Sequence, residues 1–550
     1  MLKRFPIAAL ILSSAAVAQI SSFPKPSYFR EVYRRPSAKV VLNDPVKIKD
    51  FVAGDKLELT LQHFLELVMA NNTDVQLQLM SLEIPRNNIL AAYGVWDPTA
   101  QLSFSTTRST SLPTSAVQAQ NTVEVSKSLV QPYALQYAQT LPEGMSYFVN
   151  FSGAKSSETN TFASYNPSLT ANLTFGVSQP LIRNRGSYVN RIPLMMAQSN
   201  LKVSEANLRV QLIGLINNAE NLYWNVVSAR ENLKVQQKAR DTADEYLKYM
   251  EKQLELGAIS PLDIYNPQQS LAANDLSVSQ ARFALLQSED ALRHQIGVDL
   301  DPQLRKLPIE LTESADLGPA ESITVDSEQE VTKALSINPA MKFATQRLDV
   351  DDLGIQQSRN ALLPNLVFSA TYTANGRGGI FYPSDSTLFG GSSLVATIPG
   401  GIGDALSQMF GFGYPTYQAG LTLTLPIRSH TASANMATAL VQKKIDALNL
   451  RNQEQAIRLS ILNAVSNLEG AKEQLKLARI QRDFAQKNLD AENQKYQLGS
   501  ESNQNVINAQ QALVQADSAV VSNQIGVRRS LLNLLTQTGE LLDERGIVVK

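Results

Sequence analysis

From Thr431 to Leu498 the chain keeps an unbroken helical pattern without a single proline. Apolar residues recur at spacings of three and four: Val441, Ile445 and Leu448, then Ile461, Val465, Leu468, Ala471, Leu475 and Ala478. At 1.5 Å rise per residue such a helix is roughly 100 Å long. No compact globular domain uses that length, so the segment belongs to a coiled coil or forms one stave of a long assembly. A short strand pattern ending in Leu425-Pro426-Ile427 precedes it, and Leu498-Gly499 ends it. The same arrangement occurs earlier. Ser178-Gln179-Pro180-Leu181 opens a second long helix, from about Tyr188, that stops at Leu256-Gly257.

These are two copies of one unit. Asn72 and Asn338 correspond at an offset of 266, as do Pro98 and Pro364. Pro180 and Pro426 correspond at 246, and both Gly257/Gly499 and Gly297/Gly539 at 242. Past the turns the match is residue by residue: Ser260, Asn266, Gln268, Leu271 and Asp275 against Ser502, Asn508, Gln510, Leu513 and Asp517. A period near 250 is a tandem duplication, not a solenoid. The predicted organisation is a leader 1–18, an extended arm 19–55, a first repeat 56–297, a connector 298–326, a second repeat 327–540 and a tail 541–550.

The leader has Lys3 and Arg4, an apolar run from Ile7 to Val17, and Ala16-Val17-Ala18 as a small-residue cleavage site before Gln19. After the arm a helical pattern starts at Leu57 with Thr60 as N-cap. It breaks at Asn71-Asn72, resumes at Asp74 and runs to Tyr93, with Pro85 placed to kink it. The period then becomes two. Leu169, Ala171, Leu173, Phe175 and Val177 alternate with Thr170, Asn172, Thr174, Gly176 and Ser178. Similar alternation occurs at 100–105, 366–372 and 418–425, giving two strands per repeat, with an extra hairpin an open question around Gly144 to Gly153. About ten alternating residues match a tilted membrane strand. No segment outside the leader approaches eighteen consecutive apolar residues, so any membrane crossing is by β-barrel.

Four strands cannot close a barrel, and open edges in lipid are costly. Closure therefore takes several chains; three would bring twelve strands. Long helices from several copies would then build a hollow cylinder. The formal net charge of −1 offers no global basic field for nucleic acid. The absence of cysteine excludes disulfides and thiolate metal sites.

The two strand-Pro-helix joints, Gln179-Pro180-Leu181-Ile182 and Thr424-Leu425-Pro426-Ile427, and the two turns Leu256-Gly257 and Leu498-Gly499 with their following helices resemble those of the TolC family of outer-membrane efflux ducts. The resemblance covers nearly everything after residue 55. It implies a mainly α chain with a small membrane β part: a homotrimer whose twelve-stranded β-barrel in the outer membrane is continuous with a periplasmic α-helical barrel. It implies docking on a periplasmic membrane-fusion adaptor and an inner-membrane pump, in efflux or type I secretion, with passive conduction and no catalysis.

By the same resemblance Gly257 and Gly499 mark the periplasmic tip, where a glycine also suits a left-handed helix end. Asp263 matches an aperture carboxylate six residues after the first glycine; it equally serves as a helix cap after Ser260-Pro261. Asn505 and Asn508 stand where the second repeat of the family carries carboxylates. Glu501 stands where a family example has arginine, and Tyr496 matches a gate tyrosine. The gate's charge pattern is thus expected to differ, and rings of Asp263, Glu501, Asn505 and Asn508 would set ion selectivity if they face a pore. Tyr93, Trp96, Tyr165, Phe175, Tyr372 and Tyr417 suit interfacial girdles or plain sheet packing. The aromatic, Gly-rich segment 375–414 reads as a surface loop or an extracellular lid.

No catalytic or cofactor motif is legible. There is no P-loop. His63, His294 and His430 have no zinc spacing. Gly400-Gly401-Ile402-Gly403 lacks a strand-to-helix context. A secreted coiled-coil adhesin would explain the helices but not the strands or the half-to-half match. A periplasmic adaptor would carry one hairpin only.

Overall fold

The computed structural model describes residue 46 and residues 48–53, 56–112, 125–159, 163–298, 304–318, 324–387, 390–394 and 396–548. The expected leader with its Ala18/Gln19 site, and most of the arm, lie outside the described residues. In chain order come β1 (Val52–Ala53), β2 (Lys56–Leu59), α1 (Leu61–Asn71), α2 (Thr73–Ser81) and α3 (Glu83–Tyr93). Then follow β3 (Thr99–Phe104), β4 (Thr107–Ser111), β5 (Ser126–Thr140), β6 (Ser146–Glu158) and β7 (Tyr165–Pro180). The first long helix α4 (Ser187–Glu255) returns through α5 (Tyr265–Gln295). After β8 (Ile309–Leu311) the second half begins with α6 (Ser327–Ile337), α7 (Pro339–Ala361) and β9 (Asn365–Phe381). It continues with β10 (Ser384–Thr387), β11 (Gly390–Leu394), α8 (Ile402–Phe410) and β12 (Pro415–Thr424). The second long helix α9 (His430–Gln497), its return α10 (Asn503–Thr538) and α11 (Leu541–Glu544) close the chain.

The chain divides into two compact units, with boundaries inside α3, α4, α7 and α9. One unit, Pro85–Leu201 with Arg347–Ala447, holds the large antiparallel sheet. Its order is β12-β9-β7-β6-β5-β3, with β4 continuing along β5 beyond β3. The sheet is therefore six strands wide, not four. The hairpin around Gly144 is real and stands between β3 and β7. The expectation of four strands per chain is corrected on this point. The alternation of Tyr133 to Tyr137 and Tyr147 to Phe151 was hidden because glutamine, serine and alanine occupy much of both strands. Only pairing with β7 reveals the hairpin as part of the sheet.

The register sorts the sheet into two faces, because directly paired residues point to the same side. One row across all six strands is Leu102, Leu135, Phe151, Leu173, Ala374 and Pro415. The adjacent residues form a row of the other face: Gln101, Gln136, Asn150, Thr174, Thr373 and Thr416. The joints at one end of the sheet are built locally. Asn184, in left-handed backbone (φ 59°), exchanges hydrogen bonds with Asn360: its N–H donates to Oδ1 at 3.0 Å, and Asn360 Nδ2 donates back at 2.6 Å.

The other unit, Met1–Ile84, Lys202–Gln346 and Leu448–Lys550, is helical around a small sheet in which β2 pairs in parallel with β8. Residues 57–59 are thus strand, not the helix start expected from the sequence. Leu57 and Leu59 are buried on alternate positions, and α1 begins after Thr60, whose Oγ1 accepts from His63 N–H. Tyr223 of α4 is buried against Phe64 and donates to Glu313, with the Leu59 carbonyl also 3.2 Å from its hydroxyl oxygen. Pro85 does not kink a helix; it lies in the first turn of α3, where a missing N–H costs nothing.

The duplication persists at atomic detail. Asn72 caps α2 through Oδ1 and donates Nδ2 to the Gln295 carbonyl at 3.2 Å. Asn338 caps the following helix the same way, accepting from Ala340 N–H (2.9 Å) and donating to the Gln537 carbonyl (2.9 Å). The ion pairs Arg240–Asp275 (3.2 Å) and Arg482–Asp517 (2.6 Å) repeat at the same offset. After α10, Arg545 forms a two-pronged ion pair with buried Glu220 at 2.6 and 2.9 Å.

Candidate functional site

Two features stand out: the helical turns of one unit and the two-faced sheet of the other. Both turns close in the same way. Gly257 has φ 68° and Gly499 φ 71°. Gly257 N–H donates to Leu254 and Ala258 N–H to Gln253; in the second turn Gly499 N–H donates to Tyr496 and Ser500 N–H to Lys495. This pair of bonds satisfies carbonyls that a helix end leaves open, and it needs a left-handed residue at the glycine.

After the first turn Ser260 and Asp263 form a capping box: Leu262 N–H donates to Ser260 Oγ (3.3 Å), and Ser260 N–H donates to Asp263 Oδ2 (3.1 Å). Asp263 remains exposed while doing so. Its backbone carbonyl accepts from Asn503 Nδ2 at 2.9 Å, which ties the first-repeat turn to the second. Asn505 donates to Glu501, and Asn508 accepts from Gln504 Nε2 (3.0 Å). Asn505 and Asn508 are both exposed. Tyr496 lies deeper. Its ring meets Tyr246 edge-on at 6.3 Å, and its hydroxyl donates to Met250 Sδ at 3.1 Å. Leu489, Val506 and Ala509 pack around it. Burial first, then the nearby Tyr249 and Asp263, raises the Tyr496 phenol above its ordinary range; burial does the same to Tyr246.

The structure thus brings Asp263 and the Asn503 side of the second turn together, while the Glu501–Asn505 and Gln504–Asn508 pairs stay local to α10's first turns. Sequence reasoning missed Tyr246, Met250 and Asn503. Asn503 corresponds to Pro261 in the first repeat, so that departure from the duplication was the available clue. Pro180 ends β7, where Leu181 N–H donates to the Leu366 carbonyl at 2.8 Å; Pro426 lies between β12 and α9.

On the sheet, the apolar face carries Phe175, Tyr372 and Tyr417 in one row, the latter two ring to ring at 5.1 Å. Leu102, Phe104, Leu135, Leu421 and Leu423 are exposed in the single chain. A continuous apolar face of this extent marks an interface with lipid or protein. Among the described residues no helix is long and apolar enough to cross a membrane, and no group of side chains has the makings of a metal site.

A family model described as "Outer membrane efflux protein" matches residues 133–298 and 331–540. The "Probable efflux pump outer membrane protein TtgC" of Pseudomonas putida is 22% identical over 340 residues, covering 61% of this chain and 62% of that protein. The chain therefore aligns with less than two thirds of the length of that curated relative. Among solved structures, the outer membrane protein VceC of Vibrio cholerae superposes with a TM-score of 0.59 at 14% identity, covering 87% of this chain and 96% of that one. The CmeC outer membrane channel of Campylobacter jejuni gives 0.58 at 16% identity, with 90% of each chain covered.

Proposed function

Because the chain belongs to the outer membrane efflux protein family, we propose that it is the outer-membrane duct of a tripartite export machine. It conducts cargo passively, with energy and cargo choice supplied by an inner-membrane pump reached through a periplasmic adaptor. The single observation that carries this reading is the six-strand sheet with one apolar face, one polar face and two edges that no strand among the described residues covers. In lipid such edges must be paired. Pairing β12 of one copy with β3 of the next closes the barrel, and the polar row then lines the pore. An adhesin made of coiled coil has no use for such a sheet.

With three copies the barrel has eighteen strands rather than the twelve expected from two strands per repeat. The exit is correspondingly wider, since barrel diameter grows about linearly with strand number. In this reading the turns at Gly257 and Gly499 form the tip that the adaptor engages. Asp263, Glu501, Asn505 and Asn508 would ring its aperture, and Tyr496 would brace it.

The test is single-channel conductance of the detergent-solubilised protein in planar bilayers, for wild type and Asp263→Asn. Asparagine keeps an oxygen for the Ser260 N–H, so the cap survives while the charge goes. Discrete cation-selective channels with reduced selectivity in the variant are expected. Unchanged selectivity would remove Asp263 from the aperture. A protein that stays soluble without detergent and forms no channel would sink the duct.

A further inference from the structure

The segment between β11 and β12 is not a plain loop: it contains α8 (Ile402–Phe410), and α8 lies on the sheet. The face it covers is the apolar one. Ala171 of β7 and Ala374 of β9 are fully buried beneath Ala405 and Met409. Gly376 and Gly378, on the same face, have no side chain because the helix backbone takes its place. A Cβ on Gly376 would overlap the Ala405 carbonyl oxygen, and one on Gly378 that of Gly401.

Polar bonds fasten the same contact. Asp404 Oδ2 accepts from Gly401 N–H at 2.7 Å and starts the helix. Above Ala374, β9 runs past the end of β12. There, Arg377 N–H donates to Gln408 Oε1 (3.1 Å) and Asn375 N–H to the Tyr414 carbonyl (3.1 Å), so α8 and its exit also close that stretch of open edge.

What the packing leaves outside includes large apolar side chains alongside Gly403, Asp404 and Ser407. Leu406 is partly buried against the sheet, whereas Ile402 and Phe410, two turns apart on the helix, are exposed, and Phe412 and Tyr414 continue the exposed surface. From Gly400 to Ile427 the only charged residue is Asp404, already engaged as the cap.

We propose that α8 is an interfacial helix strapped to the outer, lipid-facing side of β7 and β9. Its exposed Ile402 and Phe410, with Phe412 and Tyr414, sit in the acyl-chain boundary of the outer leaflet. The proposal rests on the outer-membrane reading above. Continuity with the apolar sheet face argues for lipid as the occupant. The opposite face at this height carries Asn172, Thr373, Asn375 and Arg377, which suit water. Height argues for the boundary rather than the bilayer centre. From Leu366, at the joint end, to Ala374 is roughly 26 Å along the strand, hence roughly 19 Å along the membrane normal at a tilt near 45°. That reaches the upper part of an apolar band about 25 Å tall, where aromatic girdles lie. With no basic residue in the segment, its attachment is apolar and does not depend on anionic headgroups.

The chain has no cysteine, so single substitutions label cleanly. Phe410→Cys, Ile402→Cys, Leu421→Cys and Thr422→Cys are made in the full chain, labelled with an environment-sensitive fluorophore and reconstituted into phosphatidylcholine vesicles. Quenching by lipid-borne nitroxide is compared with quenching by aqueous iodide. Leu421 and Thr422 are neighbours on opposite faces and calibrate lipid and lumen. Labels at 410 and 402 are expected to follow 421, quenched severalfold more by nitroxide than by iodide. If 421 reports lipid while 410 and 402 follow 422, α8 stands in water and the proposal is overturned, with the duct intact. If 421 and 422 are both reached by iodide alone, the sheet is not in the membrane and both readings fall.

Discussion

The half-buried phenols near the second turn show how much one atom can matter. Tyr246 Oη is buried with no hydrogen-bond partner among the described residues, while Tyr496 Oη has Met250 Sδ. An unpaired buried hydroxyl carries a desolvation cost that removing it recovers. Tyr246→Phe is therefore expected to leave stability unchanged or raise it by up to about 1 kcal/mol, measured by thermal unfolding in detergent. Both phenols are held above their ordinary range by burial. The unfolded chain releases these protons near pH 10, before the folded one does, so the unfolded state then binds fewer protons. Stability should be level below about pH 10 and fall as pH rises past it, with a shallower fall in Tyr246→Phe. An equal slope in the variant would remove Tyr246 from the effect.

At the scale of elements, the two helix turns are local inventions that the sequence spells out. Each has a glycine at the one position whose φ is positive, and each helix end reuses the same two backbone bonds. A Cβ at either glycine meets nothing within 4 Å. The cost of Gly257→Ala or Gly499→Ala is therefore the left-handed backbone alone, about 1 kcal/mol. The Asn503 bond to the Asp263 carbonyl joins the two turns; if each glycine acts only through its own backbone, the double variant loses roughly the sum. A loss far above that would mean the turns act as one body. Elements whose partner is remote behaved differently. Residues 57–59 read as the start of a helix, yet they pair with Ile309–Leu311, some 250 residues along the chain.

For the whole molecule the decisive quantity is the number of strands that each copy brings to the membrane. Among the described residues the sheet is six strands wide, four from the first half and two from the second, so the duplication is broken in the sheet while it is kept in the helices. Electron cryomicroscopy of the purified assembly is expected to show three copies and eighteen strands, with β12 beside β3 of the neighbouring copy. A barrel of twelve would require β5 and β6 to leave the sheet, and would overturn the wider exit.

The sequence by itself determined the duplicated plan, the two long helices, the glycine turns and the proline joints. Each is written in residues a few positions apart, through helical spacing, backbone handedness or a missing N–H. It determined the candidate aperture residues only as positions in that plan. Tertiary structure decided what depends on distant partners. The β5–β6 hairpin joins the sheet because β7 pairs with it, and α8 settles where Gly376 and Gly378 open a seat. Tyr496 is braced by Tyr246 and Met250 from the other repeat, and Asn503 reaches the Asp263 carbonyl. None of these pairings has a periodicity of its own. Each exists because burying an apolar surface or satisfying a backbone group required a partner that the fold brought from far along the chain.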